Sequence, residues 1–200
     1  MNIKKNDSIP EDYINVVYGN KPFTSYPLAL TKYLVEKYKI NKGDILLDLG
    51  CGRGEFLNGF IDMGVTGHGV DSTDSAIKAC PNAIIKKADI ENDGLPYSDN
   101  YFDIVFSKSV IEHFHNPDIL IKELYRCLKP GGLAIIMVPS WEYNYRIYFE
   151  DYTHRTPFMF STLNDILLIH GFNEVKVTFF KQLPILWRSW YWVLNPLSDR

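Results

Sequence analysis

The chain has 200 residues, 46% of them hydrophobic, and its 21 basic and 24 acidic side chains leave a net charge of −3. That length suffices for one domain burying about 70% of its unfolded surface, with no disulfide or metal needed to fold it. The charge balance argues against a protein held to nucleic acid mainly through phosphate contacts, and the apolar content argues against a disordered chain. Aromatic side chains are plentiful (4 Trp, 13 Tyr and 12 Phe), and residues 139–200 hold 15 of them, including every Trp.

Residues 1–40 read as an N-terminal helical cap, with an amphipathic helix over Leu28–Tyr38 behind Pro27. The polar N-terminus shows no signal-peptide pattern. Cys51, Cys80 and Cys127 form no CxxC pair, so a reducing cytoplasm is the expected compartment. No uncharged apolar run reaches the ~18–20 residues of a membrane span. From residue 41 short apolar runs alternate with helical patterns. Strands are predicted at Asp44–Leu49, Gly67–Val70, Ala83–Ala88, Phe102–Ser107, Leu133–Val138 and Glu174–Phe180, and helices at Glu55–Met63, Asp74–Ala79, Ile119–Leu128 and Ser161–His170. Strand followed by helix, repeated across connections too long for hairpins, predicts an α/β three-layer sandwich around a mostly parallel sheet. Residues 41–180 form that domain, with an insertion at 139–160. Residues 181–200 form an aromatic C-terminal segment, in which Leu183, Leu186, Trp187, Trp190, Tyr191 and Leu194 fall at helical spacing.

Open parallel sheets bind ligands at the carboxyl ends of their strands. The first strand runs into Asp48-Leu-Gly50-Cys51-Gly52-Arg53-Gly54, a GxGxG turn in which glycines let the backbone bend sharply beside a ligand. Asp48 would repel a pyrophosphate but suits a ligand carrying ammonium and sulfonium charges. Asp71 closes the second strand, 21 residues after Gly50, where an acid can accept from ribose hydroxyls. Asp89 closes the third, where a carboxylate can accept from an adenine amine while Ile90 covers the ring. Each acid taken singly also reads as a helix N-cap or a solvated charge. Three in register are less easily incidental.

In order and spacing, LLDLGCGRGEF (46–56), Gly69-Val70-Asp71, Asp89, FDIV (102–105) and LKPGG (128–132) resemble the motif series of class I S-adenosylmethionine-dependent methyltransferases. The resemblance implies a Rossmann-like sheet of seven strands and S-adenosylmethionine as cofactor. Asp48, Gly50, Cys51 and Gly52 would lie at its methionine part, Asp71 and Ser72 at the ribose, and Asp89 and Ile90 at the adenine. Ser107 would offer a backbone carbonyl to its amino group. Cys51 reads as packing beside the cofactor rather than as a reactive thiol. No metal is implied. Beyond Phe180 the chain departs from the pattern, which leaves the order of the C-terminal strands open.

Strand four is followed by Ser107-Lys-Ser-Val-Ile-Glu112-His113 and not by the Asn/Asp-Pro-Pro-Tyr of the family's base and amide methylases. The Glu-His pair resembles the small-molecule branch. His113 reads first as a half-buried packing residue and second as a catalytic one. The insertion PSWEYNYRIYFEDYTHRTPFMF carries eight rings among hydrogen-bonding groups, a mixture suited to a sugar or a flat metabolite, or alternatively to a lid over the core. Its Asp151-Tyr-Thr-His154-Arg155 stretch resembles methyltransferases encoded with surface-polysaccharide genes. Under that resemblance His154 is the candidate general base and Asp151 its orienting partner, with Arg155, Tyr152, Trp141 and Tyr145 as substrate contacts. The expected partner is a small-molecule or glycan acceptor; the aromatic C-terminal segment reads first as packing on the sheet and second as a contact with a membrane surface or a second copy; nucleic acid is disfavoured. The expected activity is O-methylation of a sugar or small metabolite in the cytoplasm, at or near the inner face of the membrane. The competing readings are a cofactor-binding subunit without turnover, an RNA or protein methyltransferase, and a nicotinamide dehydrogenase, the last disfavoured by GxGxG with Asp48.

Overall fold

The computed structural model describes residues 21–74, 80–182 and 184–187, together with Val16 and Ile77. Five parallel strands form one sheet in the order β3-β2-β1-β4-β5: β1 (Ile45–Leu49), β2 (Thr66–Asp71), β3 (Ile84–Lys87), β4 (Phe102–Lys108) and β5 (Leu128–Met137). Residues on successive positions point to opposite faces of a strand, and the two cores follow that alternation. Leu46, Ile104, Phe106 and Ile135 belong to one core, with Leu30 and Leu34 of α1 (Tyr26–Tyr38) and Leu57 and Phe60 of α2 (Glu55–Asp62). Leu47, Leu49, Val105 and Ala134 face the other, with Leu120, Ile121 and Leu124 of a later helix, Pro117–Cys127. That helix is α4, after the single turn α3 (Ile90–Asp93). Asn116 caps it by accepting from the Asp118 N–H at 3.2 Å, and Pro117 presets its first turn. The insertion contains a short α5 (Trp141–Asn144), and α6 (Phe160–Ile169) follows it.

The Lys-Pro-Gly-Gly stretch lies inside β5 as an irregularity, since Phe102 pairs with Leu128 while Ile104 pairs with Leu133. Lys129 reaches back from it to Asp103 at 2.7 Å and holds that carboxyl below the usual range; the Ile45 N–H donates to the other oxygen at 2.9 Å. Motif residues at the far end of the sheet from the strand tips therefore pin β1, β4 and β5 together.

Two expectations change. Glu174–Phe180 forms no ladder, and the sheet has five strands among the described residues where the resemblance implied seven. Val175 and Val177 pack against one core and Phe180 against the other, so this alternating segment covers the sheet without pairing to it. Most of the expected helix at Asp74–Ala79 and most of the aromatic segment 181–200 lie outside the described residues. Of the latter, Lys181, Gln182 and a 3-10 turn, Pro184–Trp187, are described, with the Trp187 ring stacked on Phe180 and tilted against Tyr33 and Tyr26. No helix among the described residues is long and apolar enough to cross a membrane.

Candidate active site

The strand order reverses between β1 and β4, and a cleft of about 260 Å³ opens there at the carboxyl ends of the strands. The turn after β1 builds its floor. Gly50 and Cys51 donate their N–H groups to the Val70 carbonyl at 2.7 and 3.2 Å, and Gly50, Gly52 and Gly54 all have positive φ. At Gly50 the need for glycine is double, because a Cβ there would lie 2.4 Å from Cγ2 of Val110. Gly50→Ala should therefore combine left-handed backbone strain with overpacking, on the order of 1–3 kcal/mol each. The expected outcome is a lower melting temperature and a loss of cofactor affinity by titration. A variant with wild-type stability would contradict the close approach.

Asp48, Gly50, Cys51, Gly52, Asp71, Ser72, Asp89 and Ile90, all singled out from sequence, line this one cleft. Asp48 is 2% exposed and its Oδ2 has no hydrogen-bond partner among the described residues. Burial, reinforced by the neighbouring Asp71, raises its carboxyl well above the usual range. Asp71 takes the opposite course. Its Oδ2 accepts from the Gly52 N–H at 2.8 Å, and its Oδ1 accepts from the N–H and the hydroxyl of Thr73 at 2.9 and 2.8 Å. A carboxylate has about four acceptor sites, so these three bonds leave room for a ribose hydroxyl. Asp89 accepts from Nδ2 of Asn92 at 2.9 Å and precedes α3, on which Ile90 faces the cleft. Burial raises the Cys51 thiol far above its ordinary value, which agrees with packing and not reactivity. Ser107 is the exception: it is buried within β4 between Leu49 and Ile136, and Phe106, Lys108 and Ser109 line the cleft instead.

A methylating cofactor fits this lining. The turn is a cradle that a Cβ would fill, the orphaned Asp48 oxygen awaits a cation, and three acids occupy successive strand ends.

His113 lines the far part of the cleft, and the insertion brings His154 beside it, with ring centroids 4.9 Å apart. The juxtaposition is fixed by backbone. The Glu112 carbonyl accepts N–H groups from Arg155 and Thr156 at 2.8 and 3.0 Å, and the Thr156 hydroxyl donates to the Phe114 carbonyl at 2.9 Å. Tyr148, fully buried, closes the inner side of the insertion by donating to the Thr156 carbonyl at 2.7 Å. Asp151 orients a different histidine from the one expected. Its carboxylate accepts from the Thr153 hydroxyl at 2.5 Å, and that same oxygen lies 2.9 Å from Nδ1 of His113. His154 is held instead by the Tyr148 carbonyl, 2.6 Å from its Nδ1. Burial, with His154 alongside, lowers His113 to about 4, so it is neutral at physiological pH.

Trp141, Tyr145, Tyr152 and Arg155 do not line the cleft. Tyr145 and Tyr152 are 51% and 64% exposed, Trp141 packs on Tyr148, and Arg155 reaches the Tyr152 carbonyl and Nε2 of His115 on the surface. Sequence reasoning missed the groups that complete the site. Lys108 projects into the cleft beneath Phe56 and Tyr26, its pKa lowered by burial. Glu112, beside His113, is fully buried. Thr153 links two groups 38 residues apart, and nothing local announces it.

A profile described as a methyltransferase domain matches residues 47–136. Over 103 residues the chain is 38% identical to an uncharacterized methyltransferase of Mycobacterium leprae, covering 50% of this chain and 38% of that one. It is 30% identical over 129 residues to phosphoethanolamine N-methyltransferase 3 of Arabidopsis thaliana, covering 60% and 26% respectively. The chain thus spans well under half the length of these curated relatives. Among solved structures, a SAM-dependent methyltransferase from Archaeoglobus fulgidus superposes with a TM-score of 0.66 at 30% identity, covering 77% of this chain and 73% of that one. Glycine turn, strand-end acids, sheet order and relatives agree: the chain belongs to the class I S-adenosylmethionine-dependent methyltransferases, with S-adenosylmethionine as its cofactor.

Proposed function

We propose that this protein methylates a hydroxyl of a sugar or another small metabolite, the preferred acceptor being a sugar of a surface polysaccharide or glycolipid. The observation that carries the reading is the pair of imidazoles where the cleft meets the insertion. A carbonyl can only accept, so the 2.6 Å contact to Tyr148 places the proton of His154 on Nδ1 and leaves Nε2 as its basic nitrogen. The Thr153 hydroxyl spends its hydrogen on Asp151, so it accepts from His113 Nδ1, and that ring has the same tautomer. A pair of imidazoles beside the cleft suits the removal of a hydroxyl proton.

Bound in the cleft, S-adenosylmethionine supplies an electrophilic methyl group on a sulfonium. Asp48 offers the carboxylate for its positive charges, Asp71 an acceptor for a ribose hydroxyl, and Ile90 an apolar cover for its base. Holding the acceptor in line contributes up to about 7–11 kcal/mol. A positioned base adds typically about 10²–10⁴-fold. The rings and polar groups of the insertion, of which Tyr145, Tyr152 and Arg155 are exposed outside the cleft, are of the kind that suits a glycan.

His154→Ala should lower kcat by about 10²-fold or more while cofactor affinity stays within about twofold, measured by turnover and by titration calorimetry on the same preparation. Collapse of cofactor affinity would make the histidine structural. The similarity to a phosphoethanolamine N-methyltransferase supports a second reading, an amine acceptor. An amine attacks through its own lone pair, so a panel pairing sugars with aminoalcohols separates the two: under the hydroxyl reading the sugars are turned over, and the product is an ether stable to mild acid.

A further inference from the structure

Glu112 takes no part in holding the cofactor or in the pair of imidazoles. It is 0% exposed, and neither carboxyl oxygen has a hydrogen-bond partner among the described residues. An unsatisfied buried carboxyl costs several kcal/mol, so a fold that keeps one needs a reason for it. Its surroundings supply one. A ligand atom of Glu112, one of His113 and one of His154 all lie within 4.8 Å of one another. Ligands around a single divalent ion sit about 3–4 Å apart, given metal–ligand bonds of ~2.0–2.2 Å, so a closure of about 1 Å would bring all three into coordination.

We propose that Glu112, His113 and His154 form a binding site for a divalent transition-metal ion at the acceptor end of the cleft. Two imidazoles and one carboxylate are the donor set of open, three-ligand sites that leave further positions for substrate oxygens. The second layer has the form such sites use. Each ligating histidine donates its Nδ1–H to a fixed oxygen, the Tyr148 carbonyl or the Thr153 hydroxyl backed by Asp151, and this presents Nε2 as the ligating nitrogen. The three ligands are also pre-assembled, because the Glu112 carbonyl ties down the N–H groups of Arg155 and Thr156 immediately after His154.

The role follows from the hydroxyl-acceptor reading, on which it rests. An oxygen bound to the ion is acidified. The hydroxyl proton leaves to solvent, the oxygen lone pair forms the new O–C bond, and the S–C pair stays on the sulfur of S-adenosylhomocysteine. The histidines then act as ligands, and the ion does what a lone base would otherwise do. Vicinal hydroxyls of a sugar could occupy two open positions at once.

The test uses the full chain stripped with chelator and dialysed. Titration with Co²⁺, read by its visible d–d absorption, and with Zn²⁺, read by calorimetry, should each show one equivalent bound. Glu112→Gln and His154→Ala should each weaken binding by at least 10-fold, while cofactor affinity and the circular dichroism spectrum remain those of the wild type. Should Glu112→Gln not fold, His154→Asn carries the same prediction from the insertion side. No Co²⁺ or Zn²⁺ binding above background, or equal binding by wild type and variants, overturns the site. The two claims fail separately. Hydroxyl methylation that persists unchanged in chelator removes the metal and leaves the proposed function. Stoichiometric metal binding without methylation of any hydroxyl acceptor keeps the site and removes the function.

Discussion

Asp71→Ala should raise the Kd for S-adenosylmethionine by about 100-fold or more and lower the melting temperature together with it. The carboxylate accepts three hydrogen bonds, two of them from backbone N–H groups at Gly52 and Thr73. Bonds to a charged group are worth about 1.5–3 kcal/mol each, and their loss is only partly recovered by water in a site that is 7% exposed. A net loss of roughly 3 kcal/mol corresponds to a fall of about 6–12 °C for a chain of this size. Part of the effect on affinity is lost ribose contact and part is a loosened glycine turn. Asp71→Asn separates them, because an amide retains one acceptor oxygen for the turn but loses the charge. Titration calorimetry and thermal melts on both variants read the result. Unchanged affinity in the alanine variant would remove Asp71 from the cofactor site.

Cofactor binding should release a proton from Asp48. In the free protein its carboxyl is raised well above the usual range by burial and by Asp71. A group whose folded pKa lies above its unfolded value of about 3.9 stabilises the fold fully below that value, and the contribution is lost as pH rises through the folded pKa. The free enzyme therefore loses stability with rising pH through this residue. The cofactor's positive charges favour the ionised carboxylate, so its affinity should rise with pH across the same window. Calorimetry in two buffers of different ionisation enthalpy measures the proton directly. Asp48→Asn should abolish the release and weaken binding by about 10–100-fold at the upper end of the window, where wild-type Asp48 is ionised. The same variant should lose part of the downward slope of stability against pH. Equal proton release by wild type and Asp48→Asn would place the linkage elsewhere.

These two acids illustrate what a sequence can reveal. Asp48 and Asp71 stand at strand ends flanked by apolar runs and a glycine turn, and short-range patterns of this kind dictate both the element and the point where it stops. The same logic located α2, α4 and α6 to within two residues at either end, because each presents an apolar stripe of helical period and a recognisable terminus. Glu174–Phe180 misled for a physical reason. Alternation records which side chains are buried, and Val175, Val177 and Phe180 are packed as it requires, but pairing also needs a neighbouring edge in register. The acceptor end was less legible still. Asp151 looked like the partner of His154, three positions away. The chain turns through Thr153, and the carboxylate serves His113 instead. Glu112 was visible only as half of a Glu-His pair. What distinguishes it is a buried carboxyl with no hydrogen-bond partner among the described residues, a property of the folded environment that no local spacing encodes.

A crystal structure with S-adenosylhomocysteine tests the central claim most directly. The adenine should lie against Ile90, a ribose hydroxyl on Asp71 and the amino group near Asp48. The sulfur should be turned toward His113, with Glu112 and His154 beyond it. A ligand bound in the opposite sense, with its sulfur away from His113, would contradict the assignment of cofactor and acceptor ends. A ligand seated outside the cleft would contradict the site itself.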